Sequence, residues 1–377
     1  MIKRLLFLNG LSILGVVCSH AAQWVWIAMF WWTDRYRPVT VPNYELLGTF
    51  SYYVVVVLQK FGVFAVPAFL FATGFFVAYA DRGKRGMSWQ VAGARLKNLL
   101  IPYVIWSAII LIGDYIKGEV YTPLEYIRRL LMGDAVAAYF YVFVLCQLYL
   151  LAPLLTLLAK DNSKKLLIGS AVLLLGVLGI FYWKLYVELQ DIKSPAADLA
   201  VSLVPGHFFV RWLFFFALGM VSGFHLETLK RWLARAKWAL LGIAILSFPL
   251  AVIETEWIFR TTGMDWRGGI FTLTGSLYVL SGLLAFLGFE KLDAWLSRVS
   301  CSKMVYDLGR ASFGIYLLHT SVLEFSARAI QKFLPQLLAY PVVFQIVLVA
   351  LAVTVPMALM TVVTKSPLRT YYRYLFG

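Results

Sequence analysis

The sequence predicts an all-α membrane protein with about ten transmembrane helices and both termini in the cytoplasm, and three observations support this prediction. Hydrophobic residues make up 61% of the 377 positions and charged residues only 14%, about half the charged fraction of a soluble domain. Uncharged runs recur along the chain, several of them long enough to cross the roughly 30 Å hydrocarbon core of a bilayer. The loops between these runs alternate between many and few basic residues. This composition excludes an ordinary soluble enzyme, a disordered chain and a disulfide-rich scaffold.

The expected spans comprise six long uncharged runs and four short ones. The long runs are residues 5–33, 61–80, 135–159, 166–183, 268–289 and 333–364. The short runs are residues 98–113, 212–224, 238–253 and 311–323. Each short run reaches spanning length if a flanking Lys or Arg extends to the interface, or if one polar residue faces the bundle. No loop is long enough for a soluble domain, so residues 1–377 are expected to form one integral membrane domain.

The distribution of basic residues predicts the orientation. The N-terminal tail, the even-numbered loops and the C-terminal tail hold 21 Lys and Arg residues, whereas the odd-numbered loops hold 11. Because basic loops stay in the cytoplasm, both termini are expected there, in a multi-pass protein of the plasma or inner membrane. The net charge of +15 is then explained by contact with membrane lipids, and no nucleic-acid partner is expected. The opening M-I-K-R-L-L-F-L is similar to a signal peptide, but its apolar run is too long, which favours an uncleaved first helix.

An ionisable side chain inside a membrane helix is costly and therefore indicates function. His20 lies about 22 Å along the first span from Leu5, at 1.5 Å per residue, in the outer half of the bilayer. Asn9 precedes it by eleven residues, and eleven steps of about 100° return to nearly the same helix face. We predict that this face lines a shaft, with Asn9 nearer the cytoplasm. The alternative is a histidine held in a hydrogen bond between helices.

Other polar residues in or near the spans are candidates for binding a substrate. His319 lies near the middle of the ninth span, and Glu324 follows further outward on a different face. His207 and Arg211 are four residues apart at the outer end of the sixth span, so they are expected to share a face. They would meet an anionic or hydroxylated substrate, or serve as interfacial anchors. The histidines lack metal-ligand spacing, so no metal is expected.

A basic segment precedes the third span at its cytoplasmic end. Its members within residues 81–98 are Arg82, Lys84, Arg85, Arg95 and Lys97. A positive cluster at a membrane mouth suits a phosphate-bearing ligand. Topology and lipid headgroups alone would explain the same charges.

Six segments, in order along the chain, carry a resemblance to a known family. They are N-G-L-S-I-L-G-V-V-C-S-H in the first span, V-P-A-F-L-F-A-T-G-F in the second, R-L-K-N-L-L-I-P-Y at the third, Y-F-Y-V-F-V-L-C-Q-L-Y-L-L-A-P-L-L in the fourth, R-W-L-F-F-F-A-L-G in the sixth and S-F-G-I-Y-L-L-H in the ninth. In this order and spacing the chain resembles the acyltransferase 3 family of ten-helix membrane acyltransferases. The resemblance extends from the N-terminus to about residue 320.

The resemblance implies an O-acyltransferase that takes an acyl group, usually acetyl, from cytoplasmic acyl-CoA. The acceptor would lie at or beyond the outer face and is often a sugar of a surface polysaccharide, glycolipid or glycoside. By resemblance, His20 would be the catalytic histidine and Arg95 the first arginine of the basic motif. Asn9 stands where many members have arginine, and the related heparan acetyltransferase-like enzymes are similar to this chain in having Asn there. Asn98 replaces the second arginine of the basic motif.

The candidate residues and the family resemblance together predict a mechanism. Acetyl-CoA would be held on the cytoplasmic side by basic groups, namely Arg82, Arg85, Arg95, Lys97 and Arg310. Neutral His20 would act as general base on an acceptor hydroxyl, while Asn9 orients the donor arm. The alternative to this direct transfer is a covalent route through an acyl-histidine intermediate.

Two other classes of function are compatible with the same sequence. In a transporter of a small polar or glycolipid substrate, His20, His319 and Glu324 would form a proton pathway. A structural subunit of an envelope-synthesis complex is the third alternative. The identity of the acceptor, the acyl chain length and the choice between monomer and homodimer are not predicted.

Overall fold

The computed structural model describes residues 1–83, 86–133, 135–264, 272–296, 298–299 and 302–377. Within these ranges every regular element is a helix. The α-helices are α1 (Ile2–Phe30), α2 (Phe50–Phe61), α3 (Ala65–Ala80), α4 (Trp89–Ile116), α5 (Pro123–Met132), α6 (Phe140–Asp161), α7 (Ser163–Leu189), α8 (Pro195–Ser202), α9 (Leu213–Phe224), α10 (Leu226–Thr262), α11 (Leu273–Gly288), α12 (Leu292–Leu296), α13 (Ser302–Arg310), α14 (Ser312–Phe333), α15 (Pro341–Lys365) and α16 (Tyr372–Phe376).

The all-α polytopic fold is confirmed, and each of the ten predicted spans coincides with a helix. Seven helical segments are long and apolar enough to cross a membrane: α1, α2 together with α3, α4, α6, α7, α10 and α15. The shorter apolar helices α9 and α11 correspond to the sixth and eighth spans, and α14 to the ninth. Residues 268–271 of the eighth predicted span lie outside the described ranges. The cytoplasmic placement of the termini stays a prediction.

The helices extend beyond the uncharged runs from which they were predicted. α4 begins at Trp89, where the Ser88 side chain accepts a hydrogen bond from the backbone N–H of Val91. Arg95 and Lys97 therefore lie on this helix and not in the preceding loop. Arg and Lys are good helix formers, so a charge that ends an apolar run does not end a helix.

The first turn of α1 differs from the prediction in a similar way. Arg4, which the sequence assigns to the N-terminal tail, is buried on α1. Its Nη1 donates a hydrogen bond to the carbonyl of Leu287 at the end of α11. Carbonyls in the last turn of a helix have no partner within the helix, and a cation there also interacts favourably with the helix dipole.

α1 is the central helix of the bundle. It packs against α2, α3, α13, α14 and α15. Small buried residues on its second half, such as Ala21 and Ala22, allow these neighbours to approach closely. His20 consequently lies in the interior of the bundle, between elements that are far apart in the chain.

α3 and α9 pack closely against each other, and glycines form part of their contact surface. A Cβ added at Gly219 would collide with the backbone carbonyl of Phe71, and one added at Gly74 with that of Phe216. Small residues at such crossings let two backbones approach and gain van der Waals contact.

Replacing Gly219 with alanine is expected to destabilise the protein, because the added methyl group collides with rigid backbone. Overpacking of this kind costs about 1–3 kcal/mol. The measurement is the midpoint of thermal unfolding in detergent, which should fall. Gly176→Ala on α7 is the matched control, since a Cβ there meets nothing within 4 Å. Equal midpoints for the two variants would contradict the close packing.

α5 is an amphipathic helix outside the spans. Thr122 and Glu125 form a capping box at its N-terminus, and hydrogen bonds from Thr122 lower the pKa of the Glu125 carboxyl. The Tyr103 hydroxyl donates to the Leu130 carbonyl at 2.6 Å and so ties α5 to α4. This tie places the segment beside one of the cavities described below.

Candidate active site

Three cavities lie along α1, and their lining residues connect them in a row. The Asn9 cavity has a volume of about 300 Å³ and is lined by Asn9, Thr73 and Arg95, among others. The central cavity, of about 340 Å³, is lined by Ser19, His20 and Gln59. The Glu324 cavity, of about 600 Å³, also contains His20 in its wall. Asn9 and His20 therefore line successive cavities along one helix.

Some residues line two neighbouring cavities and so form the walls between them. Tyr141 and Tyr316 line both the Asn9 cavity and the central cavity. His20, Gln23 and Ala138 line both the central cavity and the Glu324 cavity. From Asn9 to Glu324, the two tyrosines therefore stand between the first and second cavities, and His20 stands between the second and third.

His20 is in contact with a second histidine. The ring centroids of His20 and His319 are 5.2 Å apart, and the Gln23 side chain interacts with the His20 imidazole. His319 Nδ1 lies 2.7 Å from the Tyr316 carbonyl oxygen. Because a carbonyl only accepts, Nδ1 carries a proton in this contact, and in the neutral imidazole Nε2 then has the lone pair. This Nε2 is buried and has no hydrogen-bond partner among the described residues.

Arg95 and Asn98 of α4 place polar groups in the Asn9 cavity. The guanidinium lies 5.7 Å from the centroid of the Tyr149 ring, and the Arg95 side chain also hydrogen bonds to Tyr149. Asn9 faces the same space, and its Oδ1 is buried with no partner in the described part of the chain. The cavity therefore combines one fixed cation with amide groups that can bind a polar ligand.

The sequence matches a known protein family over most of its length. The model of a family described as an acyltransferase domain matches residues 4–361. The chain belongs to the acyltransferase 3 family. The match includes nearly all of α1, α2 to α14 and most of α15, and so every lining residue of the three cavities except Gly377. The resemblance inferred from the six sequence segments is confirmed.

A relative from Bacillus subtilis (strain 168), YfiQ, is named as a candidate membrane-bound acyltransferase. It is 26% identical to this acyltransferase over 272 residues, which cover 68% of this chain and 67% of the relative. No solved structure matches the chain.

Three of the other basic residues predicted to bind the donor, Arg82, Lys97 and Arg310, do not line the Asn9 cavity. Lys97 is exposed. Arg82 Nε donates to the Gly223 carbonyl at 2.8 Å, and its guanidinium lies over the Tyr79 ring. Arg310 is exposed and lies 3.5 Å from Asp307. Arg85, like Lys84, lies outside the described residues.

His207 and Arg211 do not share a helix face, so that expectation was wrong. His207 lies in a turn, and Arg211 ends a short 3₁₀ helix, Phe209–Arg211, before α9 begins at Leu213. The extended backbone at Phe208 separates the two residues. Arg211 lines the central cavity with His20, whereas the His207 carbonyl accepts a hydrogen bond from Gln147 Nε2 at 2.7 Å.

Glu324 lies in a network of charges at the wall of its cavity. Its Oε1 is 3.4 Å from Lys117 Nζ and 3.0 Å from Arg328 Nε. Lys117 Nζ is also 3.4 Å from Asp114. Glu119 and Arg129 line the same space. Glu324 therefore pairs with cations in this arrangement, and the contact of His319 is with His20.

Several lining residues were not predicted as site residues from the sequence. Tyr141 and Tyr316 stand inside quoted family segments, but nothing in those segments shows that the two rings meet. Gln23 was predictable, because it follows His20 by three residues and such residues are neighbours on a helix. Lys117 and Arg129 were assigned only to a loop of the chain.

Proposed function

We propose that the protein transfers an acetyl or other short acyl group from acyl-CoA to a hydroxyl group of an extracytoplasmic acceptor, with His20 as general base. The acceptor would be a sugar of a surface polysaccharide, glycolipid or glycoside. The observation that most supports this proposal is the position of His20 in the wall between the central cavity and the Glu324 cavity, in line with the Asn9 cavity. Two substrates that approach from opposite directions would meet beside this imidazole.

The Asn9 cavity has the chemistry required by the donor. Arg95 would form charge-assisted hydrogen bonds with phosphate oxygens, which are the stronger class of hydrogen bond. The free Oδ1 of Asn9 would accept a hydrogen bond from an amide N–H of the pantetheine arm. Because this arm is long and thin, it can carry the thioester along α1 while the charged part of the donor stays at Arg95.

The proposed reaction needs one proton acceptor. The acceptor oxygen attacks the thioester carbonyl carbon, a C–O bond forms and the C–S bond breaks. Neutral His20 takes the hydroxyl proton and passes a proton to the departing thiolate, so the imidazole is regenerated. If His20 attacks first, the same atoms are exchanged in two steps through an acyl-histidine.

The Glu324 cavity is the proposed acceptor site. Its walls carry the aromatic rings of Trp24, Trp106 and Tyr121 next to the carboxylates of Asp114 and Glu119. Rings offer flat apolar faces for a sugar, and carboxylates accept hydrogen bonds from hydroxyl groups. The charged groups of this cavity would orient the acceptor so that one hydroxyl reaches His20.

His319 is proposed to position the base. Replacing it with alanine removes the ring beside His20, and we expect kcat to fall by about 10–100-fold, because small displacements of a catalytic group are costly. The KM for acetyl-CoA should stay near the wild-type value, since His319 does not line the Asn9 cavity. Steady-state kinetics on membranes test this. A rise in the KM for the donor with unchanged kcat would contradict the positioning role.

The function itself is tested with radiolabelled acetyl-CoA. Membranes that contain the wild-type protein should move label into an extracytoplasmic glycan or glycolipid fraction, and membranes of a deletion strain should not. Movement of a solute that follows an ion gradient and ignores acetyl-CoA would overturn the proposal in favour of the transporter.

A further inference from the structure

Two buried tyrosines separate the Asn9 cavity from the central cavity. The rings of Tyr141 and Tyr316 are in an edge-to-face contact with centroids 5.7 Å apart. Tyr141 is 8% exposed and Tyr316 is 6% exposed, although both line the two cavities. The rings therefore fill the space between a polar donor-side cavity and the cavity that contains His20.

Hydrogen bonds at both hydroxyl groups hold the pair in place. The Tyr316 hydroxyl donates to the carbonyl of Ala138, a residue of the central cavity. The Tyr141 side chain bonds to Thr73, a residue of the Asn9 cavity. Tyr141 is thus tied to α3, and Tyr316 to the 3₁₀ helix Ala137–Tyr139 before α6. Moving the two rings apart would break these local contacts without moving a whole helix.

Tyr316 is also linked to the two histidines. Its backbone carbonyl accepts the His319 Nδ1–H, and the Tyr316 and His319 ring centroids are 5.8 Å apart. If an incoming ligand displaced Tyr316, the movement would be transmitted to His20 through His319. The passage and the proposed base are parts of one packed group.

We propose that Tyr141 and Tyr316 form a specificity-determining partition: the thioester arm of the donor passes between the two rings, whereas water from the donor side is kept away from His20. This inference rests on the proposed function, because it concerns the route of that donor. Such a partition would matter because water can compete with the acceptor hydroxyl for the thioester. If water replaces the acceptor hydroxyl, its oxygen forms the new C–O bond, the C–S bond breaks, and the donor is lost as a free acid and CoA thiol.

Labelling of single cysteines tests the partition independently of catalysis. Val66 lines the central cavity and Ser312 lines the Asn9 cavity. Val66→Cys and Ser312→Cys are each introduced into the full chain with Cys18, Cys146 and Cys301 replaced by alanine. A membrane-impermeant methanethiosulfonate is then added to inside-out vesicles, at the face to which the Asn9 cavity is proposed to open.

With both tyrosines present, the reagent should label Ser312→Cys and leave Val66→Cys unlabelled. Adding Tyr316→Ala or Tyr141→Ala should expose Val66→Cys to the reagent, whereas Tyr316→Phe, which keeps the ring, should leave it protected. Tyr139→Phe is the matched control, because Tyr139 is a buried neighbour that bonds the Leu317 carbonyl at 2.6 Å and lines none of the three cavities. Labelling of Val66→Cys with both tyrosines in place overturns the partition, whether or not the alanine variants fold.

Product analysis with radiolabelled acetyl-CoA separates this inference from the function on which it rests. In the alanine variants, free acetate should rise relative to acetylated product, whereas a merely structural defect lowers both together. If the wild-type protein transfers no acetyl group, the proposed function fails and the cysteine result still stands. If transfer occurs and the ratio is unchanged in both alanine variants, the partition is overturned and the function is retained.

Discussion

Replacing His20 with alanine is expected to reduce acyl transfer by about 10²–10⁴-fold, the contribution typical of a general base. The variant should lose kcat and keep its affinity for the donor, because Arg95 and Asn9 lie in a different cavity. The reason is chemical: without an imidazole, the attacking hydroxyl has no acceptor for its proton. Transfer from radiolabelled acetyl-CoA in membranes measures the loss, and elution in detergent as a single species shows that the variant is assembled.

His225→Ala is the matched control for this experiment. His225 follows α9, and its Nε2 lies 3.2 Å from the Ala159 carbonyl, outside the three cavities. This variant removes an imidazole of the same kind and should retain transfer. Full activity of His20→Ala would reject His20 as the base, and equal losses in both variants would point to a general effect on folding.

Replacing Arg95 with alanine is expected to raise the KM for acetyl-CoA by about 10–100-fold. A hydrogen bond to a charged group contributes about 1.5–3 kcal/mol, and about 1.4 kcal/mol corresponds to a factor of ten in affinity. The effect should fall on the donor, because Arg95 lines the Asn9 cavity and His20 does not. Initial rates over a range of acetyl-CoA concentrations measure it, and Arg95→Lys should recover part of the affinity through its charge.

Arg235→Ala controls for the loss of one positive charge. Arg235 is exposed on α10 and lies outside the Asn9 cavity. Its replacement should leave the KM for the donor unchanged. If Arg95→Ala changes kcat alone, or if the two variants behave alike, Arg95 is not a donor-binding residue and the positive charge acts through topology or lipid contact.

The course of the chain through the membrane was predictable because each transmembrane helix satisfies its backbone hydrogen bonds within itself. Hydropathy along the chain therefore predicts such helices one at a time, and in the described residues each of the ten predicted spans coincides with a helix, seven of them in segments long and apolar enough to cross a membrane. The ends of the helices were less predictable. Arg4 and Arg95 were assigned to cytoplasmic segments but lie on α1 and α4, since helix formation tolerates charges at the membrane surface.

The candidate site was predictable only in part. Asn9 and His20 share one helix, so their common orientation follows from helical periodicity, and both line the row of cavities. The shared helix face predicted for His207 and Arg211 was wrong, because the chain turns where a continuous helix was expected. Arg95 was predicted from a basic segment and from a family motif, and its presence in the same cavity as Asn9 required the packing of α4 against α6 and α14.

The sequence by itself determined that the protein is an all-α membrane protein of the acyltransferase 3 family, and it singled out one buried histidine. Only the tertiary structure decided that His20 contacts His319 and that Tyr141 meets Tyr316. The physical reason is that lipid-facing and helix-facing surfaces are equally apolar, so hydropathy does not specify how each helix is rotated against its neighbours. That rotation is set by close packing between helices far apart in the chain, and it brings the four rings together.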